Sequence, residues 1–175
     1  MVSAMTWVEN VMTWEGAGAN RWENVLARAL GDSRGNIGVE AEALPAIVRN
    51  WFDDQKSDAG LANISPLLGA MRMVKSSEEI EVMRQAGEIA GAMMEAAEGA
   101  LAEGAPEYEA ALAVINAGTR KAAGFLTARG WDSFISPMIH NLQVMQSGRD
   151  TSMVHRRASV KLLEKGDPVY FCFCN

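Results

Sequence analysis

The fold is decided by the stretch Ser76-Ser77-Glu78-Glu79-Ile80-Glu81-Val82-Met83, which predicts the start of a long helix. Ser76 and Glu79 have the S-x-x-E spacing of a capping box, in which each side chain satisfies a free backbone amide of the first helical turn. Downstream, small and apolar residues recur at helical spacing and predict a buried stripe: Ile80, Met83, Gly87, Ala90, Met94, Ala97 and Leu101. Gly104 is the expected end of this helix.

A second helix is expected directly after the first. Pro106 suits a first helical turn, because proline lacks the amide hydrogen that is unpaired there in any case. Apolar residues continue at helical spacing towards Arg120. The two helices should therefore pack as a hairpin.

The chain changes character beyond Gly130, where short apolar segments alternate with turn residues. Segments 131–137, 142–145 and 169–174 read as strands separated by turns. Two helices followed by several strands are typical of an α+β domain in which the helices cover one face of the sheet. The part before residue 72 instead alternates helix, strand, helix and strand, at 20–30, 36–40, 44–52 and 61–64, with a break at Ser65-Pro66.

Composition excludes several classes of protein. The chain has 175 residues, 49% of them hydrophobic, a net charge of −6 and two cysteines, so disordered, collagenous and disulfide-stapled classes do not apply. Charged residues interrupt every apolar run, and the N-terminus lacks the pattern of a secretory signal, so we expect a cytoplasmic protein with no membrane partner. Basic residues are scattered rather than clustered, which argues against nucleic acid as a partner.

Two histidines are candidates for chemistry. His155 lies in the polar segment 150–157 between apparent strands, where a side chain can face a cleft, although a lone loop histidine is more often simply solvated. His140, flanked by Ile139 and Asn141, is the weaker candidate. The two are too far apart for an H-x-x-x-H pair and lack nearby acids at ligand spacing, so no metal site is expected within this chain.

The remaining reactive side chains favour structural roles. Asp150 and Asp167 would act as paired carboxylates only if the fold brought them together, and Gly166-Asp167-Pro168 looks more like a turn that enters a strand. Cys172 and Cys174 alternate with aromatic residues and are expected to be core thiols on one face of a buried strand. Because Asn175 directly follows this apolar strand, we expect the chain to be a fragment of a longer protein.

Three segments together resemble the pita-bread family, which contains methionine aminopeptidase, aminopeptidase P, prolidase and creatinase. Residues 72–86 are similar to the family's entry helix, residues 147–155 to its serine-glycine-to-histidine stretch, and residues 166–169 to its glycine-aspartate turn. Gly166 follows His155 by 11 residues, the spacing expected in aminopeptidase P and creatinase. Residues 1–72 resemble the end of the N-terminal domain of creatinase-like proteins, which makes 73–175 the first half of the catalytic domain.

The resemblance implies a role for one residue and raises a question about another. The family's histidine that aligns with His155 projects into the active site, where it contacts substrate or moves a proton, so His155 is the expected catalytic and substrate-binding residue. Hydrolases of the family place their first metal-ligand aspartate at the position of Cys172. Creatinase, the metal-free member, also lacks that aspartate, so a dinuclear peptidase site is not expected here.

Within the family, the dimethylsulfoniopropionate (DMSP) lyase branch is the most similar. Residues 131–147, 150–160 and 170–174 resemble that branch more than they resemble peptidases. The resemblance implies a metal, usually iron, and elimination of dimethyl sulfide from the substrate to leave acrylate. The proton-abstracting residue and the metal ligands would lie beyond Asn175, so this chain alone should be inactive.

We therefore expect a fragment of a DMSP lyase that forms a homodimer at full length, acts on a small-molecule substrate and binds a divalent metal. Two alternatives stay open. The first is a hydrolase, either an Xaa-Pro aminopeptidase or dipeptidase or a creatinase-like enzyme. The second is a non-catalytic binding module on a pita-bread scaffold.

Overall fold

The computed structural model describes residues 6, 8–32, 35–55, 60–131, 135–139 and 144–173. The chain divides into two compact units, Met1–Lys75 and Ser76–Asn175. The domain boundary expected from sequence, between residues 72 and 73, falls three residues before this division. The identity of the first part as the end of a creatinase-like N-terminal domain stays a prediction.

The first unit alternates helices with two short strands. In chain order it contains α1 (Trp22–Leu30), β1 (Ile37–Val39), α2 (Ala46–Gln55), β2 (Leu61–Asn63) and α3 (Ser65–Met73), after a 3-10 turn at Gly18–Asn20. Strands β1 and β2 are parallel, with Ile37 opposite Leu61 and Val39 opposite Asn63. Parallel neighbours joined by a helix form a βαβ arrangement, which agrees with the alternation of helices and strands expected from sequence.

One expectation for this unit is wrong. The sequence predicts a break between secondary-structure elements at Ser65-Pro66, but helix α3 begins there. Proline is tolerated in a first helical turn because its missing amide hydrogen would have no helical partner. The side-chain oxygen of Asn63 accepts a hydrogen bond of 3.0 Å from the Ser65 amide, which satisfies one of the free amides of this turn.

The second unit is built on a helical hairpin of α4 (Ser77–Gly99) and α5 (Glu107–Ala128). The capping box is present, with Glu79 N donating to Ser76 Oγ over 3.2 Å and Ser76 N donating to Glu79 Oε2 over 2.7 Å. Helix α4 ends five residues earlier than Gly104, which lies in the connecting turn with φ +80°. Pro106 precedes the first residue of α5, and this helix continues beyond Arg120.

The predicted stripe on α4 matches the buried face only in part. Ala97 of the stripe is fully buried, but Met83 is 57% exposed and Met94 50% exposed, and the fully buried Met93 lies outside the stripe. The reason is the position of α5: a Cβ on Gly118 would lie 2.7 Å from the Met93 sulfur, so the missing side chain lets α5 approach α4 on the Met93 side. The small residue that admits close packing lies on the second helix.

The strands of the second unit form an antiparallel pair, β3 (Val144–Ser147) and β4 (Val169–Cys172). Val144 lies opposite Cys172, and Ser147 lies opposite Val169. All four β3 residues are buried, and Phe171 of β4 packs against core residues of both helices. Helices over one face of an antiparallel sheet confirm the predicted α+β class.

The expected strand at 131–137 is absent from the part of it that the structure describes, residues 131 and 135–137. Nearby amides are paired with side chains instead of a neighbouring strand: Met138 N donates to Ser136 Oγ, and Ile139 N donates to Thr119 Oγ1. His140, Cys174 and the first half of the expected strand at 142–145 lie outside the described residues. Cys172 is half-buried on β4, and its thiol is free. None of the helices in the described part combines the length and apolarity that crossing a bilayer requires.

Candidate active site around the His155 loop

The strand β3 leads into the loop that carries His155. A 3-10 turn at Gly148–Ser152 follows β3 directly, and the chain then runs through residues 153–156 to Arg157, which forms an isolated antiparallel bridge with Val144 of β3. His155 is exposed, and its backbone has φ +49°, the only positive φ of a non-glycine residue in the described part of the chain. Val154 beside it is 86% exposed. The loop therefore presents these two side chains to solvent.

Both ends of the exposed pair are fastened to the protein. Before it, the Gln146 side chain donates a 2.8 Å hydrogen bond to the Met153 carbonyl, and the Met153 amide donates to the Asp150 carbonyl over 3.0 Å. After it, Arg156 Nη2 lies 2.8 Å from Glu107 Oε1 and 3.2 Å from Asp150 Oδ2. The loop is therefore held on each side of Val154 and His155.

Glu107 is the centre of this arrangement. It is the first residue of α5 and is fully buried. Its Oε1 accepts hydrogen bonds from Ser147 N (3.0 Å), Ser147 Oγ (2.8 Å) and Arg156 Nη2 (2.8 Å), and its Oε2 accepts from Ser159 N (3.0 Å) and Ser159 Oγ (2.7 Å). Burial raises the pKa of Glu107, but the hydrogen bonds from Arg156, Ser159 and Ser147 outweigh it and lower the pKa to about 2. Glu107 is therefore a carboxylate at neutral pH.

The start of α5 is buried because a later segment runs along it. Glu107 N donates to the Lys161 carbonyl over 2.9 Å, and Tyr108 N donates to the Ser159 carbonyl over 3.1 Å. These bonds satisfy amides that a helix leaves unpaired at its first turn. They also bring Ser159 next to the Glu107 carboxylate.

A lysine lies between the two aspartates considered from sequence. Lys161 Nζ is 3.9 Å from Asp150 Oδ2 and 3.8 Å from Asp167 Oδ2, and it donates a 2.7 Å hydrogen bond to the Ser147 carbonyl. The fold therefore places both carboxylates around one ammonium group. Asp167 also lies in a turn, where its amide donates to the Glu164 carbonyl, as the Gly166-Asp167-Pro168 pattern predicted.

A separate cavity of about 290 Å³ lies between α4, α5 and residues 135–139. Its lining is mostly apolar and includes Phe125 and Leu126. At its edge, Arg129 donates two hydrogen bonds to Gln85 Oε1, and its guanidinium lies 5.2 Å from the centre of the Trp131 ring. Neither His155 nor Glu107 lines this cavity, so it is distinct from the loop site.

Comparison with known proteins identifies the family. The sequence model of metallopeptidase family M24 matches residues 81–174, which include most of α4, all of α5, the His155 loop and β4. The chain belongs to metallopeptidase family M24. This membership confirms the pita-bread resemblance inferred from residues 72–86, 147–155 and 166–169.

One similar M24 protein is creatinase from Bacillus sp. (strain B-0618). It is 32% identical to this chain over 138 residues, which cover 78% of this chain and 32% of the creatinase. The chain thus spans about a third of the length of this relative.

Solved structures of M24 enzymes share the fold. Prolidase from Pyrococcus furiosus superposes with a TM-score of 0.67 at 22% identity, covering 86% of this chain and 42% of the prolidase. X-Pro aminopeptidase from Thermotoga maritima MSB8 superposes with a TM-score of 0.68 at 24% identity, covering 87% of this chain and 39% of the aminopeptidase. At this identity, the likeness establishes the fold. The names of these relatives agree with the hydrolase alternative better than with the lyase expectation.

The M24 family is named for metal-dependent peptidases, so the fit of these residues to a metal needs a direct test. In the described parts of the chain, no three histidine, cysteine, aspartate or glutamate side chains are grouped so that they could hold a metal ion. Asp150 and Asp167 both face Lys161, and β4 carries Cys172 where the family resemblance leads one to expect an aspartate. These residues do not fit a metal ion, and we derive no chemical step through one.

Sequence reasoning missed Glu107, although a signal was present. An acidic residue in the first turn of a helix is usually a solvated complement to the helix dipole. Glu107, however, shares a helical face with the buried residues of α5, Ala110, Ala111, Val114 and Gly118. An acid at that spacing relative to an apolar stripe points into the protein and needs buried partners. The partners themselves, Arg156 and Ser159, could not be assigned from spacing.

Proposed function

We propose that this chain is part of a carbon–nitrogen hydrolase of the creatinase and Xaa-Pro peptidase type, and that His155 is its substrate-contacting, proton-transferring residue. The observation that carries the proposal is the His155 loop: within the segment that matches family M24, the exposed His155 is held between two anchored points. A solvated histidine without a role would not require fastening on both sides.

The proposed mechanism needs a group that moves a proton. In hydrolysis of an amide or guanidino group, water attacks the carbon, loses a proton, and the departing nitrogen gains one. An imidazole suits both transfers because its ordinary pKa lies close to neutral pH. His155 is exposed and makes no hydrogen bond to another described residue, so a substrate in front of the loop can reach it.

The creatinase type is favoured among the hydrolases. Cys172 occupies the position at which the peptidases of the family are expected to carry a metal-ligand aspartate, and the described side chains provide no alternative group of ligands. The similarity to creatinase, at 32% identity over 138 residues, also exceeds the identity to the prolidase and aminopeptidase structures. A guanidino compound such as creatine is therefore the first substrate to test.

The whole enzyme is proposed to be longer than this chain. Residues 1–72 would form the end of an N-terminal domain and residues 73–175 the first half of the catalytic domain, in line with the third of creatinase that the chain spans. We further propose that the full-length protein is a cytoplasmic homodimer with a small-molecule substrate, and that any divalent metal, iron included, would be bound by residues outside this chain.

A DMSP lyase is the second candidate. This assignment rests on the resemblance of residues 131–147, 150–160 and 170–174 to that branch. Cys172 on β4 also argues against the competing assignment, a dinuclear peptidase. In this reaction a base removes the proton beside the carboxylate while dimethyl sulfide leaves, so a proton-transferring residue is again required.

One experiment separates these functions. The longest open reading frame that contains this chain is expressed, supplied with Fe²⁺ in one series and left without it in another, and given creatine, a proline-containing dipeptide and DMSP. Urea, free proline and dimethyl sulfide are measured in parallel. Urea or proline release that is lost in His155→Ala supports the hydrolase, whereas dimethyl sulfide release assigns the lyase. Val160→Ala, at a residue that is 80% exposed, is the control and should keep full activity.

Absence of all three products from a folded protein would overturn both enzyme assignments and leave the binding module. Activity that persists in His155→Ala would keep the reaction but remove His155 from it. Size-exclusion chromatography with light scattering tests the proposed dimer.

A further inference from the structure

We propose that Glu107, Arg156 and Gln146 form a loop clamp that positions His155 by holding its backbone in the left-handed region. The proposal rests on the proposed function only for the role of the His155 side chain. The held backbone is a separate property of this chain and can be tested without any activity.

The backbone of His155 is the feature that needs an explanation. A φ of +49° is costly for a residue with a Cβ, and such conformations persist only when the surrounding structure enforces them. Val154 is 86% exposed and His155 is exposed, so their side chains are not enclosed by a packed core that would enforce it. The enforcement must therefore come from the residues on either side.

Two buried side chains supply that enforcement. Gln146 is 1% exposed and fixes the Met153 carbonyl through a 2.8 Å hydrogen bond. Glu107 is fully buried and fixes Arg156 through a 2.8 Å ion pair. Only two residues, Val154 and His155, connect these fixed points, so the chain has few ways to close the distance.

Arg156 suits this task better than a lysine would. Its Nη2 reaches Glu107 Oε1 and Asp150 Oδ2 at once, and its Nη1 donates to the Arg157 carbonyl over 3.1 Å. A guanidinium has several donors in a rigid plane, whereas an ammonium group is a single point at the end of a flexible stem. Replacement by lysine should therefore keep the charge beside Glu107 and loosen the loop.

The clamp predicts which of two variants at His155, glycine or alanine, is the more stable. At a residue with positive φ, glycine is more stable than alanine because it lacks the Cβ that clashes; at an ordinary loop residue, alanine is more stable because it has less freedom to lose on folding. In this chain, His155→Gly should exceed His155→Ala in folding equilibrium constant by roughly fivefold. Equal stability of the two variants, or a more stable alanine, would overturn the proposal.

The same comparison in loosened backgrounds tests the clamp residues. His155→Gly and His155→Ala are each combined with Arg156→Lys and with Arg156→Gln, and urea unfolding is measured for every pair. The two variants of a pair share one background, so the stability lost with Arg156 cancels in the ratio of their folding equilibrium constants. The advantage of glycine should fall below about twofold, or reverse. An advantage that stays near fivefold would show that Arg156 does not hold the loop. If Arg156→Gln does not fold, the Arg156→Lys pair gives the decision alone.

A kinetic arm tests whether the held conformation matters for the reaction. In the longest open reading frame, Arg156→Lys should lower kcat by about tenfold or more while KM stays within about twofold, because His155 is misplaced rather than removed. Arg157→Lys, at the exposed neighbouring residue, should change neither quantity. An unchanged kcat in Arg156→Lys would overturn the positioning role. Absence of any activity would contradict the proposed function and leave the stability comparison intact as the test of the clamp.

Discussion

Gly148 and Asp167, 19 residues apart in sequence, are in direct contact: a Cβ on Gly148 would lie only 2.7 Å from Cγ of Asp167. The Gly148 amide donates a 2.9 Å hydrogen bond to the Pro168 carbonyl on the same turn. The serine-glycine segment and the glycine-aspartate turn, recognised separately in the sequence, are therefore two sides of one contact. The contact lies at the first residue of the 3-10 turn that precedes His155.

Gly148→Ala should be strongly destabilising. Gly148 has φ +55°, so alanine would suffer backbone strain there as well as the clash with Asp167, and we expect a loss of about 2–4 kcal/mol in the free energy of unfolding. Gly104→Ala is the matched control, because Gly104 also has a positive φ but nothing within 4 Å of an added Cβ. Urea unfolding should show a clearly larger loss for Gly148→Ala; equal losses would mean that the Asp167 contact is unimportant.

Glu107 should make stability depend on pH in acid. Its pKa is lowered from 4.5 in the unfolded chain to about 2 in the folded protein. A lowered pKa contributes stability that is complete above pH 4.5 and is lost as pH falls towards 2, by about 3 kcal/mol in total. The measurement is urea unfolding at several pH values between 2 and 5.

The comparison of variants isolates this effect from other acids. Glu107→Gln should be less stable at pH 7, and its stability should fall less steeply below pH 4.5 than that of the wild type. Glu109→Gln, an exposed acid in the same helical turn, should keep the wild-type slope. A Glu107→Gln slope equal to that of the wild type would contradict the buried carboxylate.

Substitution by alanine at two glycines of α5 should change stability in opposite directions. A Cβ on Gly118 would lie 2.7 Å from the Met93 sulfur and 3.0 Å from Ile139, so Gly118→Ala should cost about 1–3 kcal/mol. An added Cβ on Gly124 meets nothing within 4 Å, so Gly124→Ala should stabilise the chain by up to about 1 kcal/mol through helix propensity. Thermal unfolding of both variants is the measurement, and a shift of the same sign for both would show that the hairpin does not depend on close approach at Gly118.

The capping box at the start of α4 should contribute about 1 kcal/mol to the free energy of unfolding. Ser76→Ala removes the acceptor of the 3.2 Å bond from the Glu79 amide and leaves that amide without its cap. Ser77→Ala, one residue later, removes a hydroxyl that donates to the Glu78 side chain and caps no backbone amide in the hydrogen bonds of the described residues. Urea unfolding should place Ser76→Ala below Ser77→Ala in stability; the reverse order would contradict the capping role.

Local sequence patterns predicted the features that depend on neighbouring residues. The capping box, the two helices, the strand at 169–172 and the turn at Gly166-Asp167 all follow from spacings of a few residues, whose geometry is nearly independent of the rest of the fold. Patterns failed where two elements meet: the buried face of α4 is the Met93 side because Gly118, on the other helix, leaves room for it.

The same distinction between local patterns and tertiary contacts applies to the candidate site. The sequence by itself determined that His155 lies in a polar loop after β3 and that the order and spacing of three segments match one family, because motif order is a property of the chain alone. Only the tertiary structure decided that Glu107 is buried and holds Arg156, which is 49 residues away in sequence. A buried carboxylate requires donors on every side, and these come from β3, the His155 loop and the segment along α5, whose meeting no local spacing encodes.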